Sequence, residues 1–293
     1  MCTAISAFYS RHIFGRTLDV AHDYGESAVL TPRFYSFKFL HQKELFEHSA
    51  IIGTAVVENG APLYFDAMNE SGLCIAALNF PKSARYYIPT AGKINLASFE
   101  FIPFVLSNCE STDEAKRLIE DVNITPDSVS PDTPATTLHW LLADAERALV
   151  AEQTEQGMRV YENPLRTLTN EPPFHTQEAD FYSASSVPGD FSSSSRFRRA
   201  AFMCENVKMP KMSDPDADVS RFFHIADTVV TPFGLEPIYT LYTACFDPMR
   251  GSMCARTYDE RKIFAKFSDA DLDASGILKS PPYYKAEWVN GGF

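Results

Sequence analysis

The chain has 293 residues, of which 45% are hydrophobic and 22% are charged, a balance typical of globular proteins. This length is enough to bury a stable core in one large domain or in two smaller ones. The formal net charge of -12, without a run of lysines and arginines, argues against nucleic acid and anionic membrane surfaces as partners.

The first part of the chain is predicted to be β-structure. Residues 3–9 and 12–18 are short apolar-rich runs separated by polar residues, which predicts a hairpin. Further strands are predicted at residues 50–58, 63–67 and 73–79, with a turn signal at Asn59-Gly60.

The pattern then changes to helix and returns to strand. The spacing of apolar residues predicts helices at 97–108 and 112–122, the second with an N-cap region that starts at Ser111. After these we expect strands at 138–143, 148–153 and 158–162, a loop over 171–195, helices over about 194–207 and 219–229, and final strands at 238–246, 252–257 and 262–267. This order predicts an α+β protein with sheets and helices in separate layers rather than βαβ alternation.

Targeting signals and cysteine usage point to one compartment. The chain starts Met1-Cys2-Thr3 without a basic segment followed by a long apolar run, and no stretch reaches the roughly 20 apolar residues that a membrane-spanning helix needs. The six cysteines are scattered without a CxxC pair, which predicts free thiols in a reducing compartment and gives no support for a zinc site. We therefore expect a cytoplasmic protein.

Cys2 is the first candidate for chemistry. Methionine is normally trimmed before a small residue, which would leave Cys2 with a free α-amine. One residue would then carry a nucleophile and its base, because an α-amine has a pKa of about 7.7–8.0 and a thiol one of about 8.5. The alternative is a chance cysteine near a frayed terminus.

Four further residues stand where they could serve such a nucleophile. Arg16 and Asp19 end the second predicted strand, which a hairpin would bring back beside Cys2. An arginine there favours the thiolate, and the Asp19 carboxylate could accept a hydrogen bond from the α-ammonium of Cys2. Asn79 and Asn170 each follow an apolar run, and Asn amides are good oxyanion donors. The alternatives are a surface ion pair for the first two residues and turn closure for the asparagines.

Arg196 is the last candidate, in the first turn of a predicted helix and after the motif Pro188-Gly189-Asp190. The alternative is a helix-surface arginine, joined by Arg198 and Arg199.

Taken together, these motifs resemble the choloylglycine hydrolase family over nearly the whole chain. The matching segments are Met1-Cys2-Thr3, Gly15-Arg16 with Leu18-Asp19, Tyr24-Gly25-Glu26, Thr31-Pro32-Arg33, Tyr64-Phe65-Asp66, Asn69-Glu70, Leu78-Asn79-Phe80-Pro81, Leu138-His139-Trp140, Leu168-Thr169-Asn170, Ser195-Arg196-Phe197 and Arg256-Thr257-Tyr258-Asp259. The resemblance implies one domain over residues 1–293, an αββα sandwich of the N-terminal-nucleophile class, and loss of Met1.

The resemblance also implies roles for the candidates and an amide hydrolysis without metal or cofactor. Cys2 would be the nucleophile, with Arg16 and Asp19 beside it. Asn79 and Asn170 would lie at the oxyanion site, and Arg196 would support the centre.

Two departures from the family pattern affect these expectations. Thr17 stands where the family has Asn, and Val20 where it usually has a bulkier residue, so the substrate pocket could differ. The segment between Asn170 and Pro188 is shorter than the excursion that helps to build the tetramer in many members. We therefore expect a homo-oligomer smaller than a tetramer, with a dimer favoured.

The main functional hypothesis is hydrolysis of conjugated bile salts with release of glycine or taurine. Asn79 resembles the bile salt hydrolase branch more than the penicillin V acylase branch, which tends to have Tyr at that position. The alternatives are an acylase for penicillin V or N-acyl homoserine lactones, and a non-enzymatic binder of amphipathic acids in which Met1 is retained.

Overall fold

The computed structural model describes residues 1–131, 134–187, 189–206, 216–234, 237–268 and 272–285. Its first strands are β1 (Cys2–Phe8), β2 (His12–Val20), β3 (Ser27–Thr31), β4 (Ile51–Glu58), β5 (Ala61–Asn69), β6 (Cys74–Asn79), β7 (Ile94–Ala97) and β8 (Val122–Thr125). The later strands are β9 (Leu138–Ala143), β10 (Ala148–Thr154), β11 (Gly157–Glu162), β12 (Thr167–Leu168), β13 (Tyr239–Asp247), β14 (Ser252–Thr257), β15 (Lys262–Lys266) and β16 (Leu278–Lys279).

Five α-helices accompany these strands in the described ranges. They are α1 (Phe101–Asn108), α2 (Thr112–Ile119), α3 (Phe174–Ser183), α4 (Ser193–Asn206) and α5 (Ala217–Ala226). The side chain of Ser111 accepts a hydrogen bond from the Glu114 amide at the start of α2, which confirms the predicted N-cap.

Two large antiparallel sheets contain most of the strands. The first has the order β12-β1-β2-β13-β14-β15, and the second has the order β11-β10-β9-β6-β5-β4-β3-β16. The predicted hairpin is confirmed, since β1 and β2 pair directly with Cys2 opposite Leu18. A separate small sheet joins β7 and β8 in parallel.

The two large sheets pack face to face, and helices cover their outer faces. Phe14 of the first sheet and Leu141 of the second belong to the core between the sheets. The outer face of the first sheet packs against α4 and α5 through residues such as Phe222, and that of the second packs against α1 and α2 through residues such as Val105. This arrangement confirms the predicted four-layer αββα sandwich.

A glycine allows one of these helices to approach its sheet. At Gly15 of β2, an added Cβ atom would overlap the ring of Phe222 on α5 and the carbonyl oxygen of Ala244 on β13. Gly15 precedes Arg16, so the close packing of α5 occurs next to a candidate site residue.

The predicted loop over 171–195 is wrong in its first part, because α3 occupies the ten residues 174–183. The prolines that suggested a loop, Pro172 and Pro173, precede the helix, where a missing N–H costs nothing. Phe174 and Gln177 then form a buried face at i, i+3 spacing. Pro188, and Val207 at the end of the predicted helix 194–207, lie outside the described residues.

Five short strands were absent from the sequence prediction, namely β3, β7, β8 and the two-residue strands β12 and β16. The edge-side strand β3 has five residues, and the parallel pair β7 and β8 has four residues in each strand. The predicted helix 112–122 correspondingly ends early, because the chain already enters β8 at Val122. Runs this short carry too few alternations for a period to be recognised.

Candidate active site

Strand pairing brings candidate residues of β1 and β2, and Asn170 after β12, to one end of the first sheet. Cys2 lies opposite Leu18, and Ala4 lies opposite Arg16 on one side and Leu168 on the other. Asn170 follows Leu168 by two residues, which places it next to Cys2. The expectation that the hairpin returns the end of β2 to Cys2 is therefore met.

Cys2 is buried, with 4% of its surface exposed, and it lines a cavity. Its backbone nitrogen donates a hydrogen bond to Asn170 Oδ1 at 2.6 Å, and its carbonyl oxygen accepts one from Arg196 Nη1 at 2.5 Å. This nitrogen is a peptide N–H here, because Met1 precedes it. In a chain without Met1, the same nitrogen would be the α-amine.

Arg16 is fully buried between the two sheets. Its Nη1 donates to the carbonyl oxygens of Ala77 at 2.8 Å and Phe65 at 3.2 Å, both in the facing sheet. Its Nη2 makes no hydrogen bond among the described residues, and the side chain lines the same cavity as Cys2. Arg16 therefore brings a positive charge and a free donor to the cavity wall.

A buried carboxylate accompanies Arg16. Asp66 Oδ2 lies 3.9 Å from Arg16 Nε and accepts a hydrogen bond from the Tyr242 hydroxyl at 2.6 Å. Burial by itself would lower the pKa of Arg16, but the acidic groups around it, Cys2 first and then Tyr242 and Asp66, raise it above its ordinary value. Burial raises the pKa of Asp66, against the opposing effect of Arg16.

Asp19 and Arg196 lie near each other on the helix side of the first sheet. Arg196 Nη1 is 3.6 Å from Asp19 Oδ2 and donates to Thr3 Oγ1 at 2.6 Å, and both charged side chains are fully buried. Asp19 Oδ1 accepts from Thr240 Oγ1 at 2.7 Å. Burial lowers the pKa of Arg196, although Asp19 and Cys2 oppose this effect.

The acceptor of the Cys2 nitrogen differs from the one we expected. The sequence suggested the Asp19 carboxylate, but Asn170 Oδ1 accepts this hydrogen bond, while the backbone carbonyl of Asp19 accepts from the Met1 nitrogen. The Asp19 carboxylate is directed to Arg196 and Thr240 instead, because it points away from the cavity face of β2 that carries Arg16.

The side chain of Asn170 is buried and bonds to the backbone of Asn79, which lines the cavity. Asn170 Nδ2 donates to the backbone carbonyl of Asn79 at 2.9 Å, and Asn170 Oδ1 also accepts from Arg196 Nη2 at 3.1 Å. An amide nitrogen has two hydrogens, so Asn170 Nδ2 has a second hydrogen that this bond does not use. The side chain of Asn79 is exposed and lines the cavity.

The cavity has a volume of about 260 Å³ and a largely apolar wall. Apolar side chains of β2, β4, β5, β9 and nearby loops surround the Cys2 side chain, among them Leu18, Val20, Val56, Leu63, Phe65, Phe99 and Leu138. Met1 also lines it, so loss of Met1 would enlarge the space beside Cys2. Such a wall suits an apolar acyl group.

Sequence reasoning missed Asp66 and Tyr242 as partners of Arg16, and Gln177 as a partner of Asn170. A signal existed for Asp66, since one acid within the apolar strand 61–69 needs a buried partner. Gln177 carried no signal, because its helix was predicted to be loop. Among the residues that the structure describes, no three His, Cys, Asp or Glu side chains gather as a metal site, and no helix is long and apolar enough to cross a membrane.

Comparison with known proteins gives a consistent result. The model of the linear amide C-N hydrolases, choloylglycine hydrolase family, matches residues 2–186 and 182–279. The bile salt hydrolase/transferase of Lactiplantibacillus plantarum is 35% identical, covering 98% of this chain and 99% of that protein. The bile salt hydrolase/transferase of Clostridium perfringens is 30% identical, covering 99% of both.

Solved structures agree with these sequence relatives. The crystal structure of a mutant conjugated bile acid hydrolase from Clostridium perfringens has a TM-score of 0.87 and 28% identity, and covers 96% of each chain. Penicillin V acylase from Agrobacterium tumefaciens has a TM-score of 0.79 and 20% identity, covering 96% of this chain and 91% of that one, and shares the fold.

Proposed function

Because the chain belongs to the choloylglycine hydrolase family of linear amide C-N hydrolases, we propose that it hydrolyses the amide bond of conjugated bile salts and releases glycine or taurine. Relatives named bile salt hydrolase/transferase are 30–35% identical over at least 95% of the chain. The observation that carries the proposal is the position of Cys2, whose side chain lines an apolar cavity while its nitrogen is held by Asn170.

The active form in this proposal is a single domain that starts at Cys2 after removal of Met1. The Cys2 nitrogen then becomes an α-amine that keeps Asn170 Oδ1 as its acceptor. The amine is the base for the thiol of the same residue, so that nucleophile and base need no further side chain.

In the first half of the reaction, the α-amine takes the thiol proton and the Cys2 sulfur attacks the amide carbonyl carbon. The carbonyl oxygen becomes an oxyanion, which receives hydrogen bonds from the remaining Asn170 Nδ2 hydrogen and the Asn79 amide. When the carbon–nitrogen bond breaks, the α-ammonium gives its proton to the departing amine. The acyl group stays on sulfur as a thioester.

In the second half, water replaces the departed amine. The α-amine takes a proton from a water molecule while the water oxygen attacks the thioester carbon. The amides of Asn170 and Asn79 stabilise the second oxyanion. The carbon–sulfur bond then breaks, the acyl group leaves as a carboxylic acid, and the proton returns to Cys2.

The charged residues have separate roles in this scheme. Arg16 faces the cavity with Cys2 and favours the thiolate. Arg196 donates to the Cys2 carbonyl and to Asn170, so it holds the nucleophile and its amine acceptor together. Asp19 balances the buried charge of Arg196 and lies 3.6 Å from it.

The substrate assignment depends on the cavity and on Asn79. The apolar wall suits the steroid part of a bile salt, with the scissile amide at Cys2. The alternative substrates are penicillin V and N-acyl homoserine lactones, and Asn79 at the cavity wall favours bile salts over penicillin V. A non-enzymatic binder of amphipathic acids would require that Met1 be retained.

The first experiment is a substrate panel with the wild-type protein and Cys2→Ala. We expect the wild type to release amine faster from glycocholate or taurocholate than from penicillin V or an acyl homoserine lactone. Cys2→Ala should abolish turnover without changing the melting temperature substantially, because it removes only the sulfur. Mass spectrometry of the wild type should show the mass of a chain without Met1.

Two outcomes would contradict the proposal. Turnover by Cys2→Ala would mean that another group is the nucleophile. Faster turnover of penicillin V or the lactone than of either bile salt would assign the protein to the acylase alternatives.

We further propose a cytoplasmic homodimer. All six cysteines are free thiols, although Cys245 and Cys254 lie directly opposite each other on β13 and β14, which supports a reducing compartment. The short segment after Asn170, which holds the single helix α3, supports an assembly smaller than a tetramer.

A further inference from the structure

One buried side chain holds the segment that carries Asn170. Gln177 of α3 is 1% exposed, and its Oε1 accepts hydrogen bonds from Thr169 Oγ1 at 2.8 Å and from the Thr169 amide at 3.2 Å. Its Nε2 donates to the carbonyl oxygens of Asn170 at 3.0 Å and Pro172 at 2.6 Å. Both amide hydrogens and the amide oxygen are therefore bonded to backbone or side chain of residues 169–172.

These bonds connect Gln177 to the Cys2 nitrogen through a single residue. Gln177 bonds to the backbone carbonyl of Asn170. The Asn170 side chain accepts a hydrogen bond from the Cys2 nitrogen at 2.6 Å and donates one to the Asn79 carbonyl at 2.9 Å. Gln177 itself does not line the cavity. We therefore expect it to act on the reaction through Asn170, whose side chain reaches the Cys2 nitrogen.

We propose that Gln177 is a positioning residue that keeps Asn170 Oδ1 within hydrogen-bond distance of the Cys2 nitrogen. The inference rests on the proposed function, in which that nitrogen is the catalytic amine. Without the two donors of Gln177, residues 169–172 would relax, and the acceptor of the amine would move. A displacement of about 1 Å at a catalytic group can lower a rate about 100-fold.

A separate contact holds the helix itself. Glu152 Oε1 accepts from the Phe174 amide at 2.9 Å and is 2.9 Å from His139 Nδ1, and all three residues are buried. Because this contact anchors the first turn of α3, a change at Gln177 should loosen residues 169–172 rather than displace the helix.

The chain offers a matched control in Gln153 of β10. Gln153 is also 1% exposed, and its Nε2 donates to the carbonyl oxygens of Ile124 at 2.8 Å and Arg85 at 3.0 Å. Its Oε1 accepts from the Ile124 amide at 2.6 Å. Neither of these partners lines the cavity, so Gln153 matches Gln177 in burial and in its two donated bonds but has no link to Cys2.

The test compares Gln177→Glu with Gln153→Glu. Each variant keeps the shape of the side chain and replaces two donors by an acceptor that faces two carbonyl oxygens, so both should lower the melting temperature. Only Gln177→Glu should lower kcat, by about 10- to 100-fold, with KM changed by less than about twofold because the cavity is untouched.

A second measurement does not depend on the substrate. Asn170 Oδ1 favours the protonated amine, which in turn favours the neighbouring thiolate. Gln177→Glu should therefore slow alkylation of Cys2 by iodoacetamide near neutral pH and shift its pH profile to higher pH, whereas Gln153→Glu should follow the wild type. Mass spectrometry should establish that all proteins have lost Met1.

Several results would overturn the inference. Equal kcat values for the two variants would mean that Gln177 has only a structural role, and a rise in KM alone would make it a binding residue. If Gln177→Glu does not fold, Gln177→Met takes its place with the same expectations. If the wild type hydrolyses no bile salt while alkylation still separates the variants, the proposed substrate fails and the positioning role stands.

Discussion

At the scale of single residues, the site depends on how charges are buried around Cys2. Arg16 and Asp66 face the space between the sheets, with Nε and Oδ2 3.9 Å apart, and Asp19 and Arg196 are 3.6 Å apart on the helix side. A buried charge without a partner is costly, so each arginine needs its acid. Of the two arginines, Arg16 is the one that lines the cavity with Cys2, so we expect it to be the main cation acting on the thiol.

This assignment predicts how the thiol responds when Arg16 is removed. The variant Arg16→Leu should slow alkylation of Cys2 by iodoacetamide near neutral pH and shift the alkylation profile to higher pH, because the cation that favours the thiolate is gone. Asp19→Asn should lower kcat by disturbing Arg196, with a smaller effect on alkylation. Rates measured across pH for the three proteins separate the two roles.

The single substitution leaves Asp66 buried without its partner, at a cost of about 3–5 kcal/mol of stability. The double variant with Arg16→Leu and Asp66→Asn removes both charges. It replaces Arg16→Leu in the alkylation measurement if the single variant does not fold. Alkylation at the wild-type rate throughout the pH range would make Arg16 a substrate-binding or structural residue.

At the scale of secondary-structure elements, the β1–β2 hairpin carries both the nucleophile and a pH-sensitive contribution to stability. His12, the first residue of β2, is buried and its Nε2 lies 3.0 Å from Ser6 Oγ of β1. Burial, with a smaller contribution from Arg166, lowers the pKa of His12 to about 4. His12 is therefore neutral in the folded hairpin at pH values where an exposed histidine is charged.

This shift predicts a loss of stability in acid. Below about pH 6.5 the unfolded chain binds a proton at His12, whereas the folded chain does so only below about pH 4, so folding becomes less favourable as the pH falls through this window. At about 1.36 kcal/mol per pKa unit, the contribution lost between pH 7 and pH 4 is about 3 kcal/mol. Urea unfolding of the wild type and of His12→Gln, each at about pH 7 and about pH 4, measures this loss of unfolding free energy.

The comparison isolates His12, because the carboxylates that also titrate in this range are common to both proteins. The free energy of unfolding should fall by about 3 kcal/mol less in His12→Gln than in the wild type. The same decrease in both proteins would show that His12 contributes nothing to the pH dependence.

At the scale of the whole molecule, the site exists because the two sheets meet at one end of the sandwich. Arg16 extends from the first sheet to the carbonyl oxygens of Phe65 and Ala77 in the second, and Tyr242 of the first sheet donates to Asp66 of the second. The cavity therefore has one wall from each sheet. Its geometry depends on the packing of the entire core between them.

The assembly is the prediction that belongs to this scale. Since the described residues 171–187 after Asn170 contain the single helix α3, we expect a dimer rather than a tetramer. Light scattering at working concentration should give twice the chain mass of 32.8 kDa. A stable tetramer would show that a longer excursion in this segment is dispensable for tetramer formation.

The sequence by itself determined the local elements with clear periods and caps. The hairpin of β1 and β2, the N-cap at Ser111 and the strands β9 to β11 follow from alternation, capping and turn signals within a few residues. The grouping of the candidate residues of β1 and β2 could also be predicted from the sequence, because a hairpin with a short turn places the ends of its strands together.

Only the tertiary structure decided what faces Cys2 from distant parts of the chain. The pairing of Asp66 with Tyr242 joins residues 176 positions apart, and Asn170 lies 168 positions from the Cys2 nitrogen that it accepts from. The helix α3 was missed because its two buried residues give too weak a helical period beside two prolines. Such contacts result from the packing of sheets and helices against one another, and no local pattern of residues contains that information.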